Sequence, residues 1–586
     1  MTLILVMTFI RPIFYVLTSL LLSLSVSSVA YASSESKEAP AIIDYQSIHH
    51  PEVAENGMVV SQQFIASRVG RDILRKGGNA VDAAVATSLA LAVVLPRAGN
   101  LGGGGFMLVH LAEKGETVAI DYREMAPAKA HRNLFLNADG SVNPIKARFS
   151  HLSAGVPGTV AGMELALEQY GTMEWEEVIQ PAIDLAENGF EVTWDLFNNL
   201  ERRSSRMLNE ATRKAFYKKD GSTYQAGEIF KQPDLAWSLK QLQKHGSKAF
   251  YEGDIAKRLV ADMEKHGGLI TLQDLANYKP VVRKPLTGDY RGHRIVTMPP
   301  SSSGGVHLIQ MLNILEHFPI KDLGVNSANS IHVMTESMKR AYADRSKHLG
   351  DTDFYDVPIE WLTSKEYGKQ LAKTIEMDKV TPSSEIEAGT KPKYESPDTT
   401  HFSVVDQWGN AVSNTYTLNF SYGSGIVAAG TGILLNNEMD DFSAKPGTPN
   451  AYGLIGGEAN AIEPKKRPLS SMTPTMVFKD GKVKLVTGSP GGSRIITTVL
   501  QMVVNVVDHE MNVAEATHTA RFHHQWLPDR LFVEPAINPD TRDLLKAKGY
   551  ELYDSSTMGS TQSIQVEDYI YGSADPRRPN AEAAGY

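Results

Sequence analysis

A change of pattern at Thr399 limits this sequence to few folds. Residues 400–418 alternate in polarity and turn at 407–410, which predicts a β-hairpin. A second hairpin is predicted over 475–487 and a third strand pair near 562–573. Strand pairs after Thr399 and helices before it predict a layered sandwich, with helices outside the sheets.

The chain before Thr399 is predicted to be mainly helical. Helical patterns occur over 61–95, 157–280 and 301–348. One pair of strands is predicted at 106–111 and 117–122. Residues 376–398 are polar and contain several prolines, and we interpret them as an exposed linker. The predicted fold class is therefore α+β.

The first 32 residues are predicted to be a signal peptide. Arg11 is the only charged side chain ahead of residue 35, residues 13–29 are apolar, and Ala-Tyr-Ala at 30–32 has the small-x-small pattern of a cleavage site. An N-terminal membrane anchor is the alternative, but the apolar run is short for a span. We expect cleavage after Ala32, a polar lead-in over 33–55 and export, most simply to a bacterial periplasm or to the exterior.

The absence of cysteine narrows the chemistry. None of the 586 residues is cysteine, which excludes Fe–S clusters, zinc ribbons and a thiol nucleophile. The 58 Lys and Arg residues against 67 Asp and Glu residues give a net charge of −9, so no basic face for nucleic acid is expected. The mean hydropathy of −0.23 excludes a multi-span membrane protein.

No nucleotide-binding or metal-binding motif occurs. The P-loop, the Rossmann glycine fingerprint, H-E-x-x-H and G-x-S-x-G are all absent. His518, His523 and His524 lack acidic partners at ligand spacing, so we expect them to pack or to form hydrogen bonds. We predict no metal and no cofactor.

A glycine-rich loop, GSPGGSR at 488–494, joins a predicted strand to an apolar helix over 493–507. Its glycines let backbone N–H groups approach a ligand, and the start of a helix favours negative charge. The loop suits an oxyanion formed in acyl transfer, or a phosphate. A tight turn explains the same residues equally well.

Thr399 itself follows the predicted linker, in the segment PDTTH at 397–401. A threonine hydroxyl within a chain is a poor nucleophile, but an N-terminal threonine carries an α-amine with a pKa of about 7.7–8.0. That amine can accept the proton of the hydroxyl, so one residue supplies both nucleophile and base. From these residues alone, a β-strand threonine after a linker remains the simpler interpretation.

Eight segments together resemble the γ-glutamyltranspeptidase family. They occur in family order over nearly the whole chain from about residue 44, and with the short segment NAV (410–412) they are GNLGGGGFM (99–107), DYREM (121–125), DTTHFSVVD (398–406), TYTLN (415–419), GILLNNEMDDF (432–442), RPLSSM (467–472) and GSPGG (488–492). The resemblance implies an N-terminal nucleophile hydrolase with an αββα sandwich. It also implies a precursor that cuts itself between Asp398 and Thr399 into a large subunit, 33–398, and a small subunit, 399–586, which remain a heterodimer.

The resemblance further implies an activity. Thr399 would attack the γ-carbonyl of glutathione or another γ-glutamyl compound, and the γ-glutamyl group would pass to water, an amino acid or a dipeptide. The acyl chemistry needs no cofactor, because the protein supplies the nucleophile, the base and the oxyanion site.

The resemblance also assigns roles to residues. The substrate-binding set holds the α-carboxylate with Arg123, Ser470 and Ser471, and the α-ammonium with Asn419, Glu438 and Asp441. The catalytic set is Thr399, Thr417 as its hydrogen-bond partner, and Gly491 and Gly492 as the oxyanion hole. Residues 446–457 match a lid loop with Tyr452 as its gate, and a guanidinium fork suits the bidentate task given to Arg123.

Two alternatives remain at this point. One is a related amidase of the same fold, such as a cephalosporin or poly-γ-glutamate acylase. The other is an exported binding protein without turnover, which would remain a single intact chain.

Overall fold

The computed structural model describes residues 47–207, 209–387, 399–445, 447 and 456–586. The predicted signal peptide, the cleavage residue Asp398 and the lid residue Tyr452 lie outside the described residues. No helix within the described ranges is both long and apolar enough to cross a membrane.

Two antiparallel sheets of seven strands form the centre of the fold. The first sheet has the spatial order β19-β2-β10-β11-β3-β4-β7 and consists of β2 (Met58–Ser61), β3 (Gly104–Leu111), β4 (Glu116–Asp121), β7 (Val281–Arg283), β10 (Thr400–Val405), β11 (Ala411–Thr417) and β19 (Glu582–Gly585). The second has the order β1-β18-β17-β13-β12-β9-β8 and consists of β1 (Glu52–Ala54), β8 (Leu286–Tyr290), β9 (His293–Thr297), β12 (Thr475–Lys479), β13 (Lys482–Thr487), β17 (Gln562–Val566) and β18 (Ile570–Ala574).

The remaining strands form two small sheets. They are the pair β5 (Phe190–Glu191) with β6 (Ile229–Phe230), and the three strands β14 (Phe522–His523), β15 (Leu531–Val533) and β16 (Leu552–Asp554).

Helices precede, separate and follow these strands. In the first half of the chain they are Phe64–Arg75, Ala80–Val94, Pro144–Arg148, Thr159–Tyr170, Trp175–Asn188, Trp194–Arg203, Glu210–Phe216, Pro233–His245, Lys248–Tyr251, Asp254–His266 and Leu272–Asn277. The later ones are Gly304–Leu315, Ile320–Leu323, Ala328–His348, Ile359–Leu362, Lys365–Ala372, Arg494–Val507, Val513–His518 and Pro539–Ala547.

The alternation of side chains along the strands explains the layers. In β3, Met107 and Val109 belong to the core that includes the helix Ala80–Val94. Phe106 and Leu108 point the other way, into the core that includes the second sheet. The helix Gly304–Leu315 packs on the second sheet through β8 and β9, so the helix–sheet–sheet–helix order predicted from the sequence is confirmed.

Two local predictions are wrong, and a third, the linker, holds except at one residue. Residues 61–95 are not one helix, because the chain turns at Gly77, where φ is +97°, and restarts at an Asn79 capping box. The lead-in over 33–55 includes strand β1, which pairs with β18. The linker predicted to be exposed over 376–398 is described as far as residue 387, and all of these residues are exposed or half-buried except Ser383, whose backbone N–H donates to Asp529 Oδ2 at 2.8 Å.

Candidate active site

The hairpin of β10 and β11 places Thr399 beside Thr417. Thr400 pairs with Tyr416 in the antiparallel register, so the residue before β10 lies next to the last residue of β11. The two hydroxyl oxygens are 3.2 Å apart, and Thr399 is 7% exposed. The Thr417 oxygen also accepts a hydrogen bond of 2.8 Å from the backbone N–H of Asn419, which holds the Thr417 hydroxyl in place. Either hydroxyl of the Thr399–Thr417 pair can donate to the other.

Histidine does not supply the base beside this hydroxyl pair. No histidine or lysine lines the cleft among the described residues. His401, on the same hairpin, contacts Thr415 Oγ1 at 2.8 Å and Ser403 Oγ at 3.1 Å, and burial lowers its pKa to about 3. The His401 side chain is therefore neutral near pH 7, and both of its ring nitrogens contact hydroxyl groups outside the cleft.

Asn419 lies at the start of the loop after β11. Its backbone has a φ of +74°, in the left-handed region that asparagine tolerates better than most residues. Its Nδ2 donates to the Asn437 carbonyl at 2.9 Å, which ties this loop to the turn that carries Glu438. The bond fixes the position of Asn419 relative to the acidic residues of the cleft.

A buried ion cluster lies across the cleft, centred on Arg123, which follows strand β4. Its Nη2 donates to Asp441 Oδ2 at 2.5 Å, and its Nη1 donates to Glu438 Oε1 and, at 3.3 Å, to Glu124 Oε2. Its Nε donates to the Pro468 carbonyl at 3.2 Å. Burial alone would lower the pKa of Arg123, but the surrounding carboxylates raise it, so this side chain remains charged.

The carboxyl groups of this cluster are poised to hold a proton. Burial raises the pKa of Glu124 to about 7, against the opposing charge of Arg123. Burial also raises the pKa of Glu438 well above its usual range and raises that of Asp441. One guanidinium therefore faces three carboxyl groups, a charge balance that could accommodate an incoming ammonium group.

Ser470 and Ser471 line the cleft near Arg123, held by a loop before the helix Gly304–Leu315. The Ser470 backbone N–H donates to the Ser301 carbonyl at 3.0 Å, and its carbonyl accepts from the Ser303 N–H at 2.8 Å. These backbone bonds fix where the two serine hydroxyls stand.

The glycine-rich loop follows β13. Gly491 and Gly492 have φ values of +136° and +56°, which only glycine adopts without strain at the first position. Their carbonyls accept from Arg494 N at 3.0 Å and Ile495 N at 3.2 Å. Within the described part of the chain, neither glycine N–H donates a hydrogen bond, so both amides remain available to a ligand oxygen.

One cleft of about 330 Å³ brings most of these residues together. The predicted site residues that line it are Thr399, Thr417, Gly492, Arg123, Asn419, Glu438, Asp441, Ser470 and Ser471. Gly491 is adjacent in the chain to Gly492 but does not line it. The roles assigned to these residues remain predictions.

Sequence reasoning missed two residues of the cluster. Arg345 lines the cleft from the helix Ala328–His348, and Glu124 lies in contact with Arg123. Glu124 stands within the quoted motif DYREM, so its position was a usable signal. Arg345 lies in a helix rich in charged residues, a pattern typical of a solvated face.

A possible cation site lies apart from this cleft. His151, Asp262 and His266 bring one ligand atom each to within 4.8 Å of one another.

The three histidines considered in the sequence form hydrogen bonds, as predicted. His523 Nδ1 contacts Thr497 Oγ1 at 2.8 Å and His524 Nε2 contacts Asp529 Oδ1 at 3.1 Å. His518 Nδ1 contacts the Ala514 carbonyl at 2.7 Å.

Comparisons with known proteins agree with this architecture. The family model of Gamma-glutamyltranspeptidase matches residues 66–585. A glutathione hydrolase proenzyme of Escherichia coli (strain K12) is 55% identical over 544 residues, which cover 92% of this chain and 94% of that protein.

Solved structures give the same result. A cephalosporin acylase from Bacillus halodurans has a TM-score of 0.82 at 27% identity, covering 94% of this chain and 99% of that chain. The gamma-glutamyltranspeptidase of Helicobacter pylori has a TM-score of 0.56 at 47% identity, covering 58% of this chain and 97% of that chain.

The predicted fold, an α+β sandwich of the N-terminal nucleophile hydrolase type, is confirmed by these structures. The family resemblance drawn from eight motifs is confirmed by a family model that spans most of the chain. This chain is thus an enzyme that belongs to the gamma-glutamyltranspeptidase family.

Proposed function

We propose that this enzyme cleaves the γ-glutamyl amide of glutathione and related compounds and passes the γ-glutamyl group to water, an amino acid or a dipeptide. One observation carries the proposal: a single cleft joins the Thr399 hydroxyl to a buried ion cluster at Arg123. A γ-glutamyl compound needs both features, because its α-amino acid end is a zwitterion and its reacting carbonyl lies three carbons away.

The ion cluster supports recognition of that zwitterion. Arg123 and the hydroxyls of Ser470 and Ser471 offer donors to an α-carboxylate. Glu438 and Asp441, which contact Arg123, offer acceptors to an α-ammonium. A bound zwitterion would thus exchange ion pairs with the cluster and add no net charge to a buried site.

The proposed reaction proceeds in two steps. Thr399 Oγ1 forms a bond to the γ-carbonyl carbon, and its proton passes to the α-amine of Thr399. The amide N–H groups of Gly491 and Gly492 stabilise the oxyanion, the C–N bond breaks, and the proton goes to the leaving amine. Water or an acceptor amine then attacks the carbonyl carbon of the γ-glutamyl ester and gives a proton to the α-amine of Thr399. That proton passes to Thr399 Oγ1 as the ester bond breaks.

This chemistry requires maturation, and we propose cleavage between Asp398 and Thr399 after removal of a signal peptide, 1–32. The large subunit would be 33–398 and the small subunit 399–586. Strand β10 lies between β2 and β11, and β11 lies between β10 and β3, so strands from both sides of the cut share one sheet. This interleaving supports a stable heterodimer. We place the enzyme in the periplasm and propose Tyr452 as the gate of a lid.

Purified protein tests this proposal directly. We expect turnover of γ-glutamyl-p-nitroanilide, faster release with a dipeptide acceptor, and much slower turnover of glutaryl-p-nitroanilide, which lacks the α-amine. A denaturing gel should show two bands, the smaller beginning Thr-Thr-His. Faster turnover of the glutaryl donor would favour the acylase alternative, and an intact chain without turnover would favour a binding protein.

A further inference from the structure

Arg345 is a second buried guanidinium in the cleft, and its surroundings differ from those of Arg123. It is 5% exposed and extends from the helix Ala328–His348. Its Nε donates to Ser303 Oγ at 2.9 Å and its Nη2 donates to Ser471 Oγ at 3.2 Å. No carboxylate of the described residues forms an ion pair with it.

The chemistry of guanidinium fixes the direction of these hydrogen bonds. A guanidinium has five N–H donors and no acceptor, so Ser471 Oγ must accept from Arg345. The proton of Ser471 is then directed elsewhere, and this hydroxyl donates to none of the described residues. Because Ser471 lines the cleft, its proton is available to an acceptor there.

Ser303 extends the same arrangement to the backbone. Its Oγ accepts from Arg345 and donates to the Ser470 carbonyl at 2.8 Å. Arg345 therefore holds both the Ser471 hydroxyl and, through Ser303, the peptide before it.

The charge of Arg345 also requires a partner. Burial lowers its pKa to about 10, so the side chain is still a cation near neutral pH. Asp441 contributes a favourable charge without forming an ion pair. A buried cation without a paired anion is costly, and an anionic group bound in the cleft would offset that cost.

We propose that Arg345 is a positioning residue for the α-carboxylate of the substrate, acting through Ser471. It orients the Ser471 proton towards the cleft and supplies positive charge that a bound carboxylate balances. The inference rests on the proposed function and specifies how the same site selects an α-carboxylate.

A pair of donors that differ only in the α-carboxylate tests this role. For Arg345→Gln we expect kcat/KM for γ-glutamyl-p-nitroanilide to fall about 10- to 100-fold, mainly through KM. For 4-aminobutyryl-p-nitroanilide, which lacks the carboxylate, we expect a change of less than about threefold. Where turnover of that donor is slow, its inhibition constant gives the same comparison. Lys347→Gln, which removes an exposed charge from the same helix, is the matched control and should alter neither donor.

Equal losses on the two donors, or no loss on the γ-glutamyl donor, would overturn the inference. Ser471→Ala should show the same selectivity as Arg345→Gln. Should Arg345→Gln fold poorly, Arg345→Lys and Ser303→Ala carry the test, because both keep a buried cation. They should show a smaller loss of the same selectivity, and unselective losses would overturn the inference. If wild-type protein does not cleave γ-glutamyl-p-nitroanilide, the proposed function fails instead.

Discussion

The two ends of the cleft are built from opposite chemistry. At one end, Thr399, Thr417 and Gly492 offer hydroxyl and backbone amide groups, held by the β10–β11 hairpin and the loop after β13. The proposed cut would add the α-amine of Thr399. At the other end, the buried guanidinium of Arg123 contacts the carboxylates of Glu438 and Asp441. Under the proposed function, recognition and bond breaking reside on different elements, and substitutions at the two ends should have different kinetic signatures.

The largest effect is expected at the end of the cleft that holds Thr399. Thr399→Ala removes the attacking oxygen, so turnover should fall by about 1000-fold or more and the chain should remain uncut. The rate of γ-glutamyl-p-nitroanilide cleavage measures the turnover, and a denaturing gel shows whether the chain is cut. Thr399→Ser, which keeps a hydroxyl, is the control and should retain processing. Full turnover by the alanine variant would dismiss Thr399 as the nucleophile.

At the charged end, Arg123→Gln should lower kcat/KM about 100-fold, chiefly through KM, because the substrate carboxylate loses its donors and three carboxyl groups lose their counter-ion. It should also lower the urea midpoint of unfolding. Arg123→Lys keeps the charge without the fork and should recover part of the loss. A fall in kcat at constant KM would contradict the separation of the two ends.

The pH dependence of stability should also arise at the charged end. The pKa of Glu124 is about 7 in the fold, above the unfolded value of about 4.3, so the folded state binds more protons between these values. This stabilisation is complete below about pH 4 and is lost as pH rises towards 7, by on the order of 1–3 kcal/mol. Glu438 and Asp441 act in the same direction.

Urea unfolding of wild type and Glu124→Gln between pH 5 and 8 measures this effect. The free energy of unfolding of the Glu124→Gln variant should fall less with rising pH than that of wild type. Parallel curves would mean that Glu124 does not hold the proton.

The smallest effect is expected for Thr417→Val, an exchange of similar shape that removes one hydrogen-bond partner of Thr399. We expect kcat to fall about tenfold, with KM within about twofold of wild type. Thr415→Val, on the same strand but bonded to His401, is a control for general damage to β11. A rise in KM comparable to that of Arg123→Gln would remove the distinction between the ends.

The sequence predicts some parts of this molecule well, for physical reasons. Strands β10 and β11 are recognisable in the sequence because their polar and apolar residues alternate and a short turn at 407–410 joins them into one hairpin. Strand β2 is not predicted from the sequence, because its residues Met58–Ser61 show no alternation of polar and apolar side chains and all four are buried. Arg345 escaped notice because the buried face of its helix includes charged residues such as Glu336 and Lys339, which sequence reasoning assigns to solvent.

The sheet that interleaves strands from both sides of residue 399 has a consequence for how this enzyme recovers from damage. The precursor folds as one molecule, at a rate independent of its concentration. After the proposed cut, unfolding yields two separate polypeptides, and recovery requires them to meet again. Heat or denaturant should therefore inactivate dilute mature enzyme irreversibly. The uncut Thr399→Ala chain should refold with a yield that does not depend on its concentration.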